Sequence, residues 1–103
     1  MDGSRSFTLT LDEGERGEFA ATLRHRLSLL ERGRLPSVGG GAATLTRLLI
    51  RVEAADADTS LALDAQEAQQ GRLACGYAAA DHDGRGDLER ARVLLSILAT
   101  LSS

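Results

Sequence analysis

The 103-residue chain contains one cysteine, one proline, no tryptophan and only three aromatic residues. A single cysteine excludes an intramolecular disulfide, so we expect a protein of a reducing compartment, the cytoplasm. With so few aromatic side chains the core must consist of Leu and Ala, which favours closely packed helices. No run approaches the roughly 18 apolar residues of a membrane-spanning helix, and the N-terminus lacks an apolar signal region. We therefore expect neither membrane insertion nor export.

Lysine and asparagine are also absent, so all twelve basic residues are Arg. Together with the abundance of Ala, Gly, Leu and Asp, this is typical of a GC-rich bacterial genome, and Arg in place of Lys is not evidence of recognition chemistry. The net charge is −3, with eight Arg against seven acidic residues in 1–54 and four against eight in 55–103. Neither half has the basic excess of a nucleic-acid-binding protein.

Two stretches that lie 52 residues apart, Thr8–Glu15 and Ser60–Glu67, share the pattern small–Leu–small–Leu–Asp–x–x–Glu. The alternating part predicts a half-buried strand, and the Asp followed three residues later by Glu predicts a capped helix start. A further match recurs at an offset of 46, between Leu48-Leu49-x-x-Val52 and Leu94-Leu95-x-x-Leu98. These matches predict a tandem repeat, and chance similarity in a chain rich in Leu, Ala and Asp is the alternative.

The patterns predict one domain, residues 1–103, made of two strand–helix–helix units at about 5–55 and 57–103. The strands are expected at 5–11 and 59–63, and the helices at about 13–32, 42–55, 65–80 and 88–101. The predicted fold is therefore a helix-dominated α+β fold with four helices and two short paired strands, and an all-α four-helix fold is the alternative. Residues 44–54 also alternate like a strand, but Leu45 fits only the helical period.

Residues 81–92 resemble the calcium-binding loop of EF-hand proteins over these twelve positions alone. The matching residues, at positions one, three, six and eight, are Asp81, Asp83, Gly86 and Leu88. Calcium needs several oxygen ligands, normally closed by a Glu at position twelve, whereas Arg85 and Arg92 occupy positions five and twelve here. The resemblance therefore implies at most a weak divalent-cation site, whose ligands would be Asp81, Asp83 and Asp87. The alternative is a solvated turn between two helices.

Other chemically capable side chains have simpler structural interpretations. Cys75 stands among small residues and is expected to be buried, and Tyr77 is expected in the core with its hydroxyl at the edge. His82 is expected in an exposed loop. His25 is expected on a helix surface, between two arginines that face away from the apolar stripe of the first helix: Arg24 and Arg26.

No nucleophile–base pair, ligand cluster or phosphate-binding loop stands out, which favours a small cytoplasmic interaction or regulatory module without catalysis or cofactor. The last helix has more apolar residues than one core contact needs. They form the predicted partner surface, and they favour a homodimer or another protein partner: Leu94, Leu95, Ile97, Leu98 and Leu101. The alternatives are weak cation binding by the Asp81–Asp87 loop and a DNA-binding transcriptional regulator. The latter would use four arginines of the first helix and its end: Arg24, Arg26, Arg32 and Arg34.

Overall fold

The computed structural model describes residues 7–33, 41–56 and 58–102. Its elements are β1 (Phe7–Thr10), α1 (Glu13–Glu31), α2 (Gly41–Ala54), β2 (Ser60–Leu63), α3 (Ala65–Gly84) and α4 (Leu88–Ser102). The helix-dominated α+β fold is thereby confirmed, and the all-α alternative is wrong. Residues 44–54 are helical, so the strand alternative for them is wrong too. Residues 5 and 6 of the predicted first strand lie outside the described residues.

β1 and β2 pair antiparallel, with Leu9 opposite Leu61. Side chains alternate across the sheet, so Leu9 and Leu63 are buried under the helices while their neighbours in the strands are exposed or partly buried. On the exposed face the hydroxyls of Thr10 and Ser60 lie 2.9 Å apart and form a cross-strand hydrogen bond. The pairing of the two predicted strands is therefore confirmed.

Both predicted helix caps are present as complete capping boxes. The backbone N–H of Glu15 donates to Asp12 Oδ1 at 2.8 Å, and the N–H of Asp12 donates to Glu15 Oε1 at 2.9 Å. The same pair of bonds joins Asp64 and Glu67, at 2.8 and 3.0 Å. Each box satisfies two amides that a helix start leaves unpaired, so it fixes where the strand ends and the helix begins.

The predicted loop at 81–87 is wrong for its first half, because α3 continues to Gly84. The helix then ends in a Schellman motif around Gly86, whose φ of 82° is left-handed. The N–H of Gly86 donates to Asp83 O at 3.0 Å, and the N–H of Asp87 donates to His82 O at 2.8 Å. The glycine that matched an EF-hand position thus terminates a helix.

The core is mostly aliphatic, as the composition predicts, and α4 supplies three of its large side chains. Leu94, Ile97 and Leu101 have at most 1% of their surface exposed, and Leu98 is partly buried against them. Leu95, with 51% of its surface exposed, is the one clearly exposed member of the predicted partner surface. That prediction is wrong for three of its five residues, because α4 packs against β1 and α1 as well as against α3.

The four helices also contact one another across the two units. α1 packs against α4 and α2 packs against α3, in addition to the contacts within each helical pair. At Gly71 of α3 the approach is especially close, since an added Cβ would lie 2.9 Å from Leu101 Cδ1 and 3.3 Å from Phe19 Cζ. Within the described residues, no helix combines the length and the apolar character needed to cross a membrane.

Candidate functional site between helices α1 and α3

The aspartates of the EF-hand-like stretch do not converge on a common point. Asp81 lies on α3 and pairs with Arg85, with 3.2 Å between Oδ2 and Nε, while Asp87 faces Arg90 at 3.7 Å. In the part of the chain that the structure describes, no three His, Cys, Asp or Glu side chains are grouped so that they could hold a metal ion. The helical course of residues 81–84 is the reason, because it points successive side chains in different directions. The structure therefore does not support Asp81, Asp83 and Asp87 as the ligands of one metal ion.

Cys75 is fully buried, as expected. Burial in apolar surroundings disfavours the charged thiolate and raises the pKa of the Cys75 thiol to about 12. Near neutral pH the side chain is therefore a protonated, packed group, which agrees with a structural role.

A groove of about 460 Å³ runs between α1 and α3 and reaches the start of α4. Small residues on the facing sides of the two helices open it, among them Ala21, Ala74 and Ala78. Its polar and aromatic lining comes from three helices and the α3–α4 turn: Glu18, Thr22, His25, Arg26, Tyr77, Asp81, His82, Arg85 and Arg90. A volume of this size is within the usual range of ligand sites.

Arg26 is the most unusual side chain of this groove. It was expected on the surface, yet only 7% of it is exposed, and that expectation is wrong. Its Nε is enclosed and has no hydrogen-bond partner among the described residues. Burial lowers the pKa of Arg26, an effect that the electrostatic interaction with Tyr77 opposes. Arginine keeps its proton even so, and the groove therefore contains a buried positive charge.

Tyr77 lies over this charge. The guanidinium carbon of Arg26 is 5.4 Å from the centre of the Tyr77 ring, a distance typical of a cation–π contact. The ring is nevertheless 65% exposed, so the expectation that Tyr77 belongs to the core is wrong. The buried face of α3 is made of smaller residues such as Ala68, Gly71 and Ala74, and Tyr77 projects beyond them.

The other charged groups of the groove have partners of opposite charge. The carboxylate of Glu18 lies between Arg90 and His82. Its Oε1 is 3.5 Å from Arg90 Nε, and its Oε2 is 3.8 Å from His82 Nε2. Asp81 forms an ion pair with Arg85. His82, expected in a loop, instead lies on α3 and is partly buried. Arg26 is thus the groove cation for which the described residues provide no acidic partner.

Among the described residues, the arginines proposed for DNA binding do not form a free basic surface. Arg24 pairs with Glu53 of α2, and Arg26 is buried. Arg32 is exposed at the end of α1, whereas Arg34 lies outside the described residues. The groove contains the buried cation of Arg26 under the exposed ring of Tyr77, beside an apolar wall. These groups are suited to binding.

The sequence of α1 does contain a pattern that predicts the buried face at the site. The pattern includes polar residues and lies in a different helical register from the apolar stripe. Phe19, Thr22, Leu23 and Arg26 follow the spacing i, i+3, i+4, i+7, and all four are buried. The apolar stripe drawn through Phe19, Leu23, Leu27 and Leu30 misses this face, because Leu27 and Leu30 are only partly buried.

Comparison of the chain with models of protein families, with curated proteins and with solved structures gave no match.

Proposed function

We propose that the protein is a small, non-catalytic interaction module of the bacterial cytoplasm, and that the groove between α1 and α3 receives a partner protein. The observation that carries the proposal is the exposed Tyr77 ring over the buried Arg26, 5.4 Å away. Tyrosine and arginine are the residue types most enriched, with tryptophan, among the side chains that dominate binding energy at protein interfaces.

The arrangement also has the composition of an interface centre. A typical interface has an aromatic and arginine-rich centre surrounded by polar groups. Around Tyr77 and Arg26 the groove has an apolar wall of Ala21, Leu29 and Ala78, and the ion pairs of Glu18 and Asp81 lie towards one end. A partner side chain that enters the groove would lose water against the apolar wall and contact the ring.

The partner in this proposal is a different protein. The expectation of a homodimer through α4 rested on an excess of apolar residues there, and Leu94, Ile97 and Leu101 are used by the core of the same chain. That leaves Leu95, which is 51% exposed, as the one clearly exposed residue of that set, which is too little apolar surface for a stable dimer through this face.

Site-specific photo-crosslinking in the source cells tests the proposal. A benzoyl-phenylalanine at position 77 reports on the groove, and the same group at position 50 is the control. Ile50 is 60% exposed, close to the 65% of Tyr77, but it lies on α2, outside the groove. We expect a discrete cross-linked protein from position 77 and none from position 50. Excess unlabelled wild-type protein should compete with the cross-link, and Tyr77→Ala protein should not.

Equal labelling from both positions, or no labelling from position 77, would contradict the proposal. A product of twice the 10.9 kDa mass of this chain would show a second copy in the groove instead of a different protein.

A further inference from the structure

We propose that the partner's contact residue is acidic: the groove binds one carboxylate side chain, Asp or Glu, at Arg26, with an apolar neighbour against the wall of the groove. This inference rests on the proposed function and specifies the chemistry of the partner.

Arg26 is a buried cation without an acidic partner among the described residues. A buried charge is strongly disfavoured unless a charge or hydrogen bonds compensate it. Only 7% of Arg26 is exposed, and its Nε has no acceptor among the described residues. The ring of Tyr77 supplies only the weaker attraction of a cation–π contact. A negatively charged ligand oxygen in the groove, which Arg26 lines, would compensate this charge in the strong charge-assisted form.

The charges that line the groove limit how much negative charge it accepts. Arg85 and Arg90 are already paired with Asp81 and Glu18, so the groove has one uncompensated positive charge. A single carboxylate neutralises it. A phosphate carries close to two charges near pH 7 and would meet the repulsion of the two groove carboxylates. A nucleic-acid backbone would meet the same repulsion, and it would approach a chain whose net charge is −3.

The groove leaves space beside a carboxylate that is bound at Arg26. The groove volume of about 460 Å³ is several times that of a carboxylate group, and Leu29, Ala74 and Ala78 contribute to the apolar part of its wall. An apolar side chain next to the acidic residue fills this space and is desolvated there. The recognised unit is therefore an acidic residue adjacent to an apolar one, on a segment of the partner.

NMR titration of the full chain tests this directly. The probe is the blocked dipeptide N-acetyl-leucyl-glutamic acid amide, and its matched control is the glutamine analogue, which has the same shape without the charge. The side-chain Nε–H signal of Arg26 is the reporter, because this group is enclosed and unpaired. We expect the glutamate probe to shift this signal and the Tyr77 amide signal, and to bind at least tenfold more tightly than the glutamine probe.

Two variants separate the role of Arg26 from general effects of charge. Arg26→Met should abolish the preference for glutamate over glutamine. Arg24→Met is the matched control, because Arg24 lies on the same helix but is exposed and paired with Glu53; it should leave the preference unchanged. A thermal melt of each variant confirms that the fold is retained.

The outcomes distinguish this inference from the proposed function. Cross-linking from position 77 without any preference for glutamate would overturn the inference and leave the interaction module standing. A glutamate preference without a cross-linked protein would instead overturn the proposed function. Tighter binding of inorganic phosphate than of the glutamate probe would overturn the inference in favour of a free-anion site.

Discussion

Leu9 of β1 lies directly opposite Leu61 of β2, the residue that occupies the same place in the second copy of the repeated pattern, 52 positions later. Pairing therefore relates the two strands symmetrically about this one pair, since Thr8 faces Ala62 and Thr10 faces Ser60. The cross-packing of α1 with α4 and of α2 with α3 follows the same symmetry. The repeat in the sequence thus corresponds to a repeat in the contacts.

The two leucines of this pair differ in burial, and truncation should show it. Leu9 is 1% exposed, whereas Leu61 is only partly buried against the core. We expect Leu9→Ala to lower the free energy of unfolding by about 2–4 kcal/mol, because it leaves a cavity, and Leu61→Ala by about 1 kcal/mol. Urea denaturation of the two variants measures both values. Equal losses would show that the two strands are packed alike at this pair.

The two capping boxes should differ in the same way. Glu15 is partly exposed, and its side chain accepts a hydrogen bond from the backbone N–H of Asp12. Glu67 is 2% exposed and accepts a further hydrogen bond from Arg51 Nη1 at 2.8 Å. We expect Glu15→Ala to cost about 1 kcal/mol of stability. Glu67→Ala should cost about 2–3 kcal/mol, because it also leaves Arg51 at a half-buried site without its acidic partner, with only the Ala62 carbonyl accepting from it among the described residues. Chemical denaturation checks the ranking, which similar costs would contradict.

Two glycines of α3 give a matched pair with opposite expected signs. At Gly71 a new Cβ would lie 2.9 Å from Leu101 Cδ1, whereas at Gly76 it would meet nothing within 4 Å. We expect Gly71→Ala to destabilise the fold by about 1–2 kcal/mol, since overpacking outweighs the better helix propensity of Ala. Gly76→Ala should stabilise it by about 0.5–1 kcal/mol. Thermal melts of both variants decide this, and a stabilised Gly71→Ala would show that Leu101 and Phe19 move aside easily.

Cys75 makes stability depend on alkaline pH. In the unfolded chain its thiol ionises near pH 8.5–9, whereas burial raises the pKa of Cys75 to about 12 in the folded protein. Between these values the unfolded state loses its proton and the folded state keeps it. The stabilising contribution is therefore complete below pH 8.5 and is lost as the pH rises towards 12, by up to about 1.4 kcal/mol per pH unit.

Urea denaturation of the wild type and of Cys75→Ala between pH 8 and 11 measures this contribution. Other titrating groups are common to both proteins, so the difference between the two curves isolates the thiol. We expect the wild type to lose more stability than the variant as the pH rises. Parallel curves would contradict the expectation.

The local features of this fold were predictable from the sequence. The strands, the caps at Asp12 and Asp64, and the start of each helix depend on residues within four or five positions of one another. Alternation and capping are encoded at that range, so the element order and the strand pairing followed. The end of α3 was missed because Gly86 fits an EF-hand position and a Schellman motif equally well at the level of residue type.

The groove was not predictable in the same way, because it depends on which faces of distant helices meet. The burial of Leu94 and Leu101 requires contacts of α4 with β1 and α1 that no local pattern specifies. The apolar stripe of the first helix predicts Arg26 on the surface, whereas its seven-residue spacing from Phe19 places it on the buried face. That it is buried without an acidic partner among the described residues, beneath Tyr77, is visible only when α1 and α3 are side by side.

The strand pairing has a consequence for the order of folding. Each residue pair of the sheet, from Thr10–Ser60 to Phe7–Leu63, joins positions that are 50 to 56 residues apart. Closing such a loop costs chain entropy before any contact compensates it, whereas the turn from α3 to α4 spans only Arg85–Asp87. We therefore expect the α3–α4 hairpin to form early and the sheet to form late, so that joining the two ends of this long loop limits the folding rate.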